Sequence, residues 1–155
     1  MTTNLTGKSF PAAHARTLSG EEVRLDQFFS RQELTFFSVG FTYDSQYQIT
    51  PWVKEFEKNY QGKIKTYTMA VYDTVWSKLA RGWIDGSMVR GTNHEEQEQT
   101  LTTTEDALIK GELGITDKTL AYFYLIDKNN TILWSTSGPL TSDGLKSLMV
   151  AINQA

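Results

Sequence analysis

Few side chains in this 155-residue sequence are suited to chemistry, and the most reactive type is missing: there is no cysteine. A thiolate nucleophile, a disulfide and a zinc-thiolate centre are therefore all excluded. What remains is a short polar group, Thr42, Asp44 and Ser45, within Phe41-Thr-Tyr-Asp-Ser45. Two hydroxyls flanking a carboxylate can hydrogen-bond a small ligand. Ser45 becomes a nucleophile only if a base reaches it, and no Ser-His-Asp spacing is diagnostic. Ser45 is read as a helix cap, because serine is among the preferred acceptors for an orphan N–H at a helix start. The rings of Tyr43 and Tyr47 are assigned to packing around that start rather than to a ligand site.

His14 and His94 are far apart, with no metal-ligand spacing between them. His94-Glu-Glu96 has the opening of a metalloprotease motif, but no second histidine follows at the required interval. The preferred reading is a solvated loop, and neither a metal nor a cofactor is expected. Trp76 and Trp83 lie seven apart, on one face of a helix. Core packing is the default for such a pair, and an exposed stripe for a protein partner is the alternative. Trp76, Trp83 and His94 are the candidate partner-binding residues.

Net charge is −3, and the 15 basic residues form no run, which argues against nucleic acid as the main partner. No apolar run approaches the roughly 20 residues needed to span a bilayer. Met1–Gly7 has the character of neither a signal peptide nor an Arg-rich transit peptide. With 39% hydrophobic residues, the sequence can build a core of ordinary size, and 1–155 is read as a single domain.

The elements that must position these residues follow from periodicity. Arg16–Leu18 and Glu22–Leu25 flank Ser19-Gly20 and read as a hairpin. Asp26 is expected to cap a turn at Gln27–Phe29. Glu33–Phe41 carries apolar residues on both parities, as a strand covered on both faces does. Ile49, Trp52, Val53, Phe56 and Tyr60 follow a helical period. Ser45 with Gln48 makes a capping box, and Thr50-Pro51 a second start. An irregular turn from Ser45 and a regular helix from Pro51 to about Asn59 are expected.

Ile64–Tyr72 reads as a second strand and Val75–Val89 as a second helix. Thr92–Thr104 is polar and reads as a long loop. Glu105–Leu113 is helical, with Gly114 as its C-cap. Leu120–Asp127 and Thr131–Trp134 form a hairpin about Lys128–Asn130. Thr141 caps a last helix whose apolar face is Leu145, Leu148, Met149 and Ile152. A strand-helix-strand unit requires a parallel crossover, and the last hairpin adds two antiparallel strands. The expected fold class is therefore α/β: a thioredoxin-like mixed central sheet flanked by helices, with an N-terminal β-hairpin.

Within that architecture, Phe36-Phe-Ser-Val-Gly-Phe-Thr-Tyr-Asp-Ser45 resembles the strand and loop of peroxiredoxins. Thr42 and Ser45 have the spacing of the threonine and the peroxidatic cysteine there, so Ser45 stands in the place of the thiol. Phe41 stands where that pattern carries proline. A serine hydroxyl is not appreciably ionised and cannot be oxidised and re-reduced as sulfur is.

The second half is similar to a narrower family. Glu112–Lys118 leads into Ala121-Tyr-Phe-Tyr-Leu-Ile-Asp127, then Lys128-Asn-Asn-Thr-Ile-Leu-Trp134 and Ser137-Gly-Pro139. These blocks resemble the C-terminal part of the mitochondrial ATP synthase assembly factors (ATPase complex subunit ten). The resemblance extends over roughly Phe10 to Ile152. Leu133 replaces the basic residue usual beside the tryptophan, and Tyr72–Thr104 has no counterpart.

The resemblance implies a location on the matrix side of the mitochondrial inner membrane and a chaperone role in building ATP synthase. It also implies partners among the protein subunits of that complex. The chain is expected not to be an enzyme but a cysteine-free protein-binding domain, peripheral to a membrane complex. Two alternatives stay open: a structural subunit of another large mitochondrial complex, and a redox-dead peroxiredoxin-like protein with a small-ligand site at Thr42, Asp44 and Ser45.

Overall fold

The computed structural model describes residues 5–17, 20–42, 45–60, 64–71 and 100–155. The N-terminal hairpin forms from β1 (His14–Thr17) and β2 (Glu22–Arg24), with Ala15 opposite Val23. Those two residues face the core while their neighbours face solvent. Helix α1 (Leu25–Phe29) follows directly. Its N-cap is Arg24 and not Asp26, which lies inside the first turn and pairs with the Arg24 guanidinium at 3.0 Å. Burial of Leu25 starts the helix one residue before the expected cap.

The central elements are β3 (Leu34–Gly40), α2 (Gln46–Tyr60) and β4 (Lys65–Val71). Then come β5 (Thr100–Thr103), α3 (Asp106–Leu113), β6 (Tyr122–Asp127), β7 (Ile132–Ser137) and α4 (Ser142–Gln154). They join one seven-stranded sheet in the order β2-β1-β5-β4-β3-β6-β7. β3, β4 and β5 run parallel in the middle, and the β1/β5, β3/β6 and β6/β7 pairs are antiparallel. This is the mixed, thioredoxin-like sheet expected from the element order.

β3 is apolar on both parities because each face of the sheet is covered. On one face Phe37 and Val39 pack with Met69, Leu101, Ile109, Tyr124 and Ile126. Phe10 meets Phe29, Phe37 and Tyr124 edge-on there, at centroid distances of 5.5, 5.4 and 5.2 Å. On the other face Phe36 joins Ile49, Trp52 and Phe56 of α2, Phe123, Leu125 and Trp134 of the sheet, and Leu148 of α4. Stacking of Phe36 on Phe56 at 4.5 Å fixes α2 over the strand.

Several caps stand as expected. Gly114 takes the left-handed conformation at φ 67°, and the Thr141 hydroxyl accepts from the Gly144 N–H at 3.0 Å. The β6–β7 turn places Asn130 at φ 66°, with the Asp127 carboxylate accepting from the Asn129 and Thr131 N–H groups.

Three further expectations need correction. The end of the polar stretch Thr92–Thr104 is not loop: Thr100–Thr103 forms β5, paired with β1 and β4. Threonine is β-branched, and Leu101 and Thr103 alternate inward. Helix α2 is regular from Gln46, so Pro51 lies inside it. Met149 is not on the buried face of α4, where Leu148 alone is fully buried. The expected helix Val75–Val89 lies outside the described residues. Among the described residues no helix is long and apolar enough to cross a membrane.

Candidate functional site

The site grows from the C-terminal end of β3. Gly40 is the last residue of the strand and faces the start of α2. A Cβ there would lie 2.9 Å from Ser45 Cβ and 3.2 Å from Ile49 Cδ1. Only a residue without a side chain lets helix and strand come this close. The close approach buries Ser45 to 1% exposure.

Thr42 and Ser45 are brought together: their hydroxyl oxygens are 3.2 Å apart, and the Ser45 N–H donates to the Thr42 carbonyl at 3.2 Å. Asp44 and Tyr43 lie outside the described residues. So do Trp76, Trp83 and His94, the residues proposed from sequence for a partner. The other histidine, His14, is engaged by Glu105, the N-cap of α3, whose carboxylate accepts from the His14 backbone N–H and lies 3.8 Å from its ring. Helix α3 packs on the sheet face opposite α2. No histidine among the described residues therefore serves Ser45 as a base. No group of three metal-binding side chains exists among them either.

Gln48 does not complete a capping box with Ser45. Its amide reaches across to the loop before β6 instead. Nε2 donates to the Thr119 carbonyl at 3.1 Å, and Oε1 accepts from the Ala121 N–H at 2.7 Å. Both ends of one side chain thus fasten α2 to β6. The loop is braced further: Asp117 accepts from the Thr119 backbone and hydroxyl, and the Tyr122 hydroxyl donates to the Asp117 carbonyl at 2.6 Å. The hydrogen bonds from the Thr119 hydroxyl and then its N–H hold the Asp117 carboxyl below its usual range. Burial, with a smaller push from Asp117, raises the Tyr122 phenol. Burial raises Tyr124, next but one along the strand, far more.

Thr42 and Ser45 stand three residues apart at a helix start, the spacing of a C-x-x-C pair, where the helix dipole would favour a thiolate. Here both positions hold neutral hydroxyls that meet each other. The arrangement stiffens the corner and offers no activated nucleophile among the described residues.

On its outer side the corner opens into a cleft of about 380 Å³ lined by Gln46, Tyr47, Thr50 and Pro51. Tyr47 is 74% exposed, so it is not the packing residue expected from sequence. Pro51 has no N–H to return to the Tyr47 carbonyl, which leaves an acceptor on this flank of the helix. Sequence reasoning missed Gln48 and the 117–121 loop. Gln48 was legible as a cap candidate, but nothing local signals a bond across 73 positions.

The family model described as ATP10 protein matches residues 6–154. No curated protein matches the chain in sequence. Several solved structures are similar in fold. The thioredoxin domain of a thiol-disulfide oxidoreductase from Bacteroides vulgatus superimposes with a TM-score of 0.64 at 15% identity, covering 97% of this chain and 99% of that one. The exposed lipoprotein thioredoxin of Streptococcus pneumoniae gives 0.60 at 13% identity, covering 88% and 96%. Reduced 2-Cys peroxiredoxin of Plasmodium vivax gives 0.56 at 17% identity, covering 97% and 98%. At these identities the likeness is one of fold.

Proposed function

Because this chain belongs to the ATP10 protein family, which serves ATP synthase assembly, we propose that it acts there as a non-catalytic protein-binding domain. The observation that carries this reading is the corner at β3 and α2. Its two C-x-x-C-spaced positions hold Thr42 and Ser45, whose hydroxyls meet each other, while Gln48 is bonded across to the loop before β6. A thiol fold without a thiol retains the exposed corner on which a protein can dock. The family is associated with mitochondrial ATP synthase, and the working site we propose is the matrix side of the inner membrane. There the domain would hold a subunit of the membrane sector until it is passed on.

The docking surface on this reading is the exposed Tyr47 with Gln46, Thr50 and Pro51. The sequence adds Trp76, Trp83 and His94 as a second contact. Among the described residues neither Thr42 nor Ser45 lines the cleft beside Tyr47, and Ser45 is buried, so that cleft does not favour the small-ligand alternative at Thr42, Asp44 and Ser45. Peroxidase and disulfide-reductase assays on pure protein separate an enzyme from a binder: turnover by either assay would remove the non-catalytic reading.

The experiment that tests the assembly role is purification of the tagged protein from gently solubilised mitochondria. Substoichiometric ATP synthase subunits, rich in membrane-sector intermediates, are the expected result. Stoichiometric recovery would make it a built-in component. Recovery of another complex would favour the structural-subunit alternative and refute the proposal.

A further inference from the structure

The loop between α3 and β6 is fastened from both faces of the sheet. α3 lies on one face and α2 on the other. On the α3 side, the Asp106 carboxylate is only 12% exposed and holds two ammonium groups: Lys110 of its own helix at 3.1 Å and Lys118 of the loop at 3.4 Å. Its place in the first turn of α3 suits a negative charge as well. On the α2 side, the Gln48 carboxamide holds the Thr119 carbonyl and the Ala121 N–H. Lys118 and Thr119 are adjacent, so the two anchors meet at one peptide unit.

The remaining bonds of the loop act elsewhere. Asp117, Thr119 and Tyr122 bond to one another, which keeps the shape of 117–122 but ties it to neither helix. The Ile115 N–H donates to the Lys110 carbonyl, and the Ile115 side chain is buried, so the loop is fixed where it leaves α3. Past that point the Asp106–Lys118 pair carries the loop back to α3.

The start of α2 needs such an anchor. Pro51 has no N–H to return to the Tyr47 carbonyl, so the turn that carries Tyr47 lacks the helical bond that would tie it to the next one. Two contacts stand in for it. The Ser45 N–H donates to the Thr42 carbonyl at 3.2 Å, and Gln48 grips the loop. Tyr47 lies between those two residues and is 74% exposed, so packing of its own ring does not hold it.

We propose that Asp106 and Lys118 are positioning residues for the corner that presents Tyr47. Their ion pair sets the place of residues 118–121 and, through both ends of Gln48, the first turn of α2. A charge pair on the α3 face thereby shapes a surface on the α2 face, around the end of β6 rather than through the core. Burial of Asp106 suits it to this part, because a pair shielded from solvent and salt holds a fixed geometry, whereas an exposed pair contributes little. Lys110 keeps the carboxylate paired when Lys118 is lost, so the tie can be cut without leaving a buried charge alone. The functional consequence rests on the reading of Tyr47 as a docking surface; the positioning itself does not.

Amide hydrogen exchange on the pure full chain tests it. Lys118→Met removes the ammonium and keeps an unbranched stem. Protection at the Ala121 N–H should fall about tenfold, with the amides of α3 and of the core of β3 unchanged. The fluorine resonance of a fluorotyrosine placed at position 47 should shift in the same variant. Lys118→Arg keeps the cation and should hold both readouts near wild type. Gln48→Ala lowers the same protection, and adding Lys118→Met to it should lower it little further, since both act through one contact. If Lys118→Met does not fold, Asp106→Asn gives the reading from the other partner. Wild-type protection at Ala121, an unshifted position-47 resonance in the folded variant, or an equal loss in Lys118→Arg overturns the proposal. If both readouts move while capture of ATP synthase subunits is unchanged, the positioning stands and the docking reading of Tyr47 falls.

Discussion

Replacing Gly40 with alanine tests whether the close approach of β3 and α2 builds the corner. The added methyl would lie 2.9 Å from Ser45 Cβ, 3.2 Å from Ile49 Cδ1 and 3.4 Å from Ser45 Oγ. The nearest of these is anchored one bond from the backbone, so the helix start must move rather than a flexible tip. Overpacking of this kind costs about 1–3 kcal/mol, and an anchored neighbour argues for the upper half, about 2–3 kcal/mol. Gly40 is not at positive φ, so the stiffer unfolded chain returns about 0.4–1 kcal/mol. The net loss is about 1–2.6 kcal/mol, or roughly 2–10 °C in Tm for a domain of this size. Gly111 is the control, because it sits inside α3 with nothing within 4 Å of its added methyl. There the same substitution should stabilise by up to about 1 kcal/mol through helix propensity. Thermal melts of both variants beside wild type give the answer. A Gly40→Ala protein as stable as wild type would refute the packing argument.

Three further predictions follow from the same corner and its surroundings. Gln48→Ala removes both bonds to the 119–121 loop and should cost about 1–2 kcal/mol; hydrogen exchange should show protection lost at the Ala121 N–H, with the core of β3 unchanged. Tyr124 and Tyr122 keep their phenols neutral above the usual range because of burial. The unfolded chain ionises first, so their stability contribution is complete below about pH 10 and declines as pH rises above it. In a spectrophotometric titration of the folded protein Tyr122 and Tyr124 should ionise above the usual phenol range; ordinary titration of both would contradict it. Finally, Trp76→Ala or Trp83→Ala should weaken capture of ATP synthase subunits with little change in Tm, whereas severe unfolding of both would assign the pair to the core.

Much of the fold was legible because its signals are local. The doubled apolar parity of β3 marks a strand buried on both faces, and Thr141, Gly114 and the 127–131 turn carry their own cap and turn chemistry. β5 was missed because a run of threonines beside a polar stretch has no apolar alternation beyond Leu101. It becomes a strand by pairing with β1 and β4, contacts that are distant in sequence. The start of α2 was misplaced for a related reason. Pro51 gives a strong local start signal, but burial of Ile49 and the cross-chain bonds of Gln48 reward an earlier turn. At the site, the three-residue spacing of Thr42 and Ser45 was legible, but the contact between their hydroxyls was not. Nor was the part of Gln48, since its partners come from a loop more than 70 residues away.

The most direct test of the docking corner is site-directed photocrosslinking from position 47 in intact mitochondria. A crosslinker replacing the exposed Tyr47 should yield an adduct containing an ATP synthase subunit, and one at the exposed Glu112 of α3 should not. Equal labelling from both positions, or adducts from position 47 that contain no ATP synthase subunit, would contradict the account.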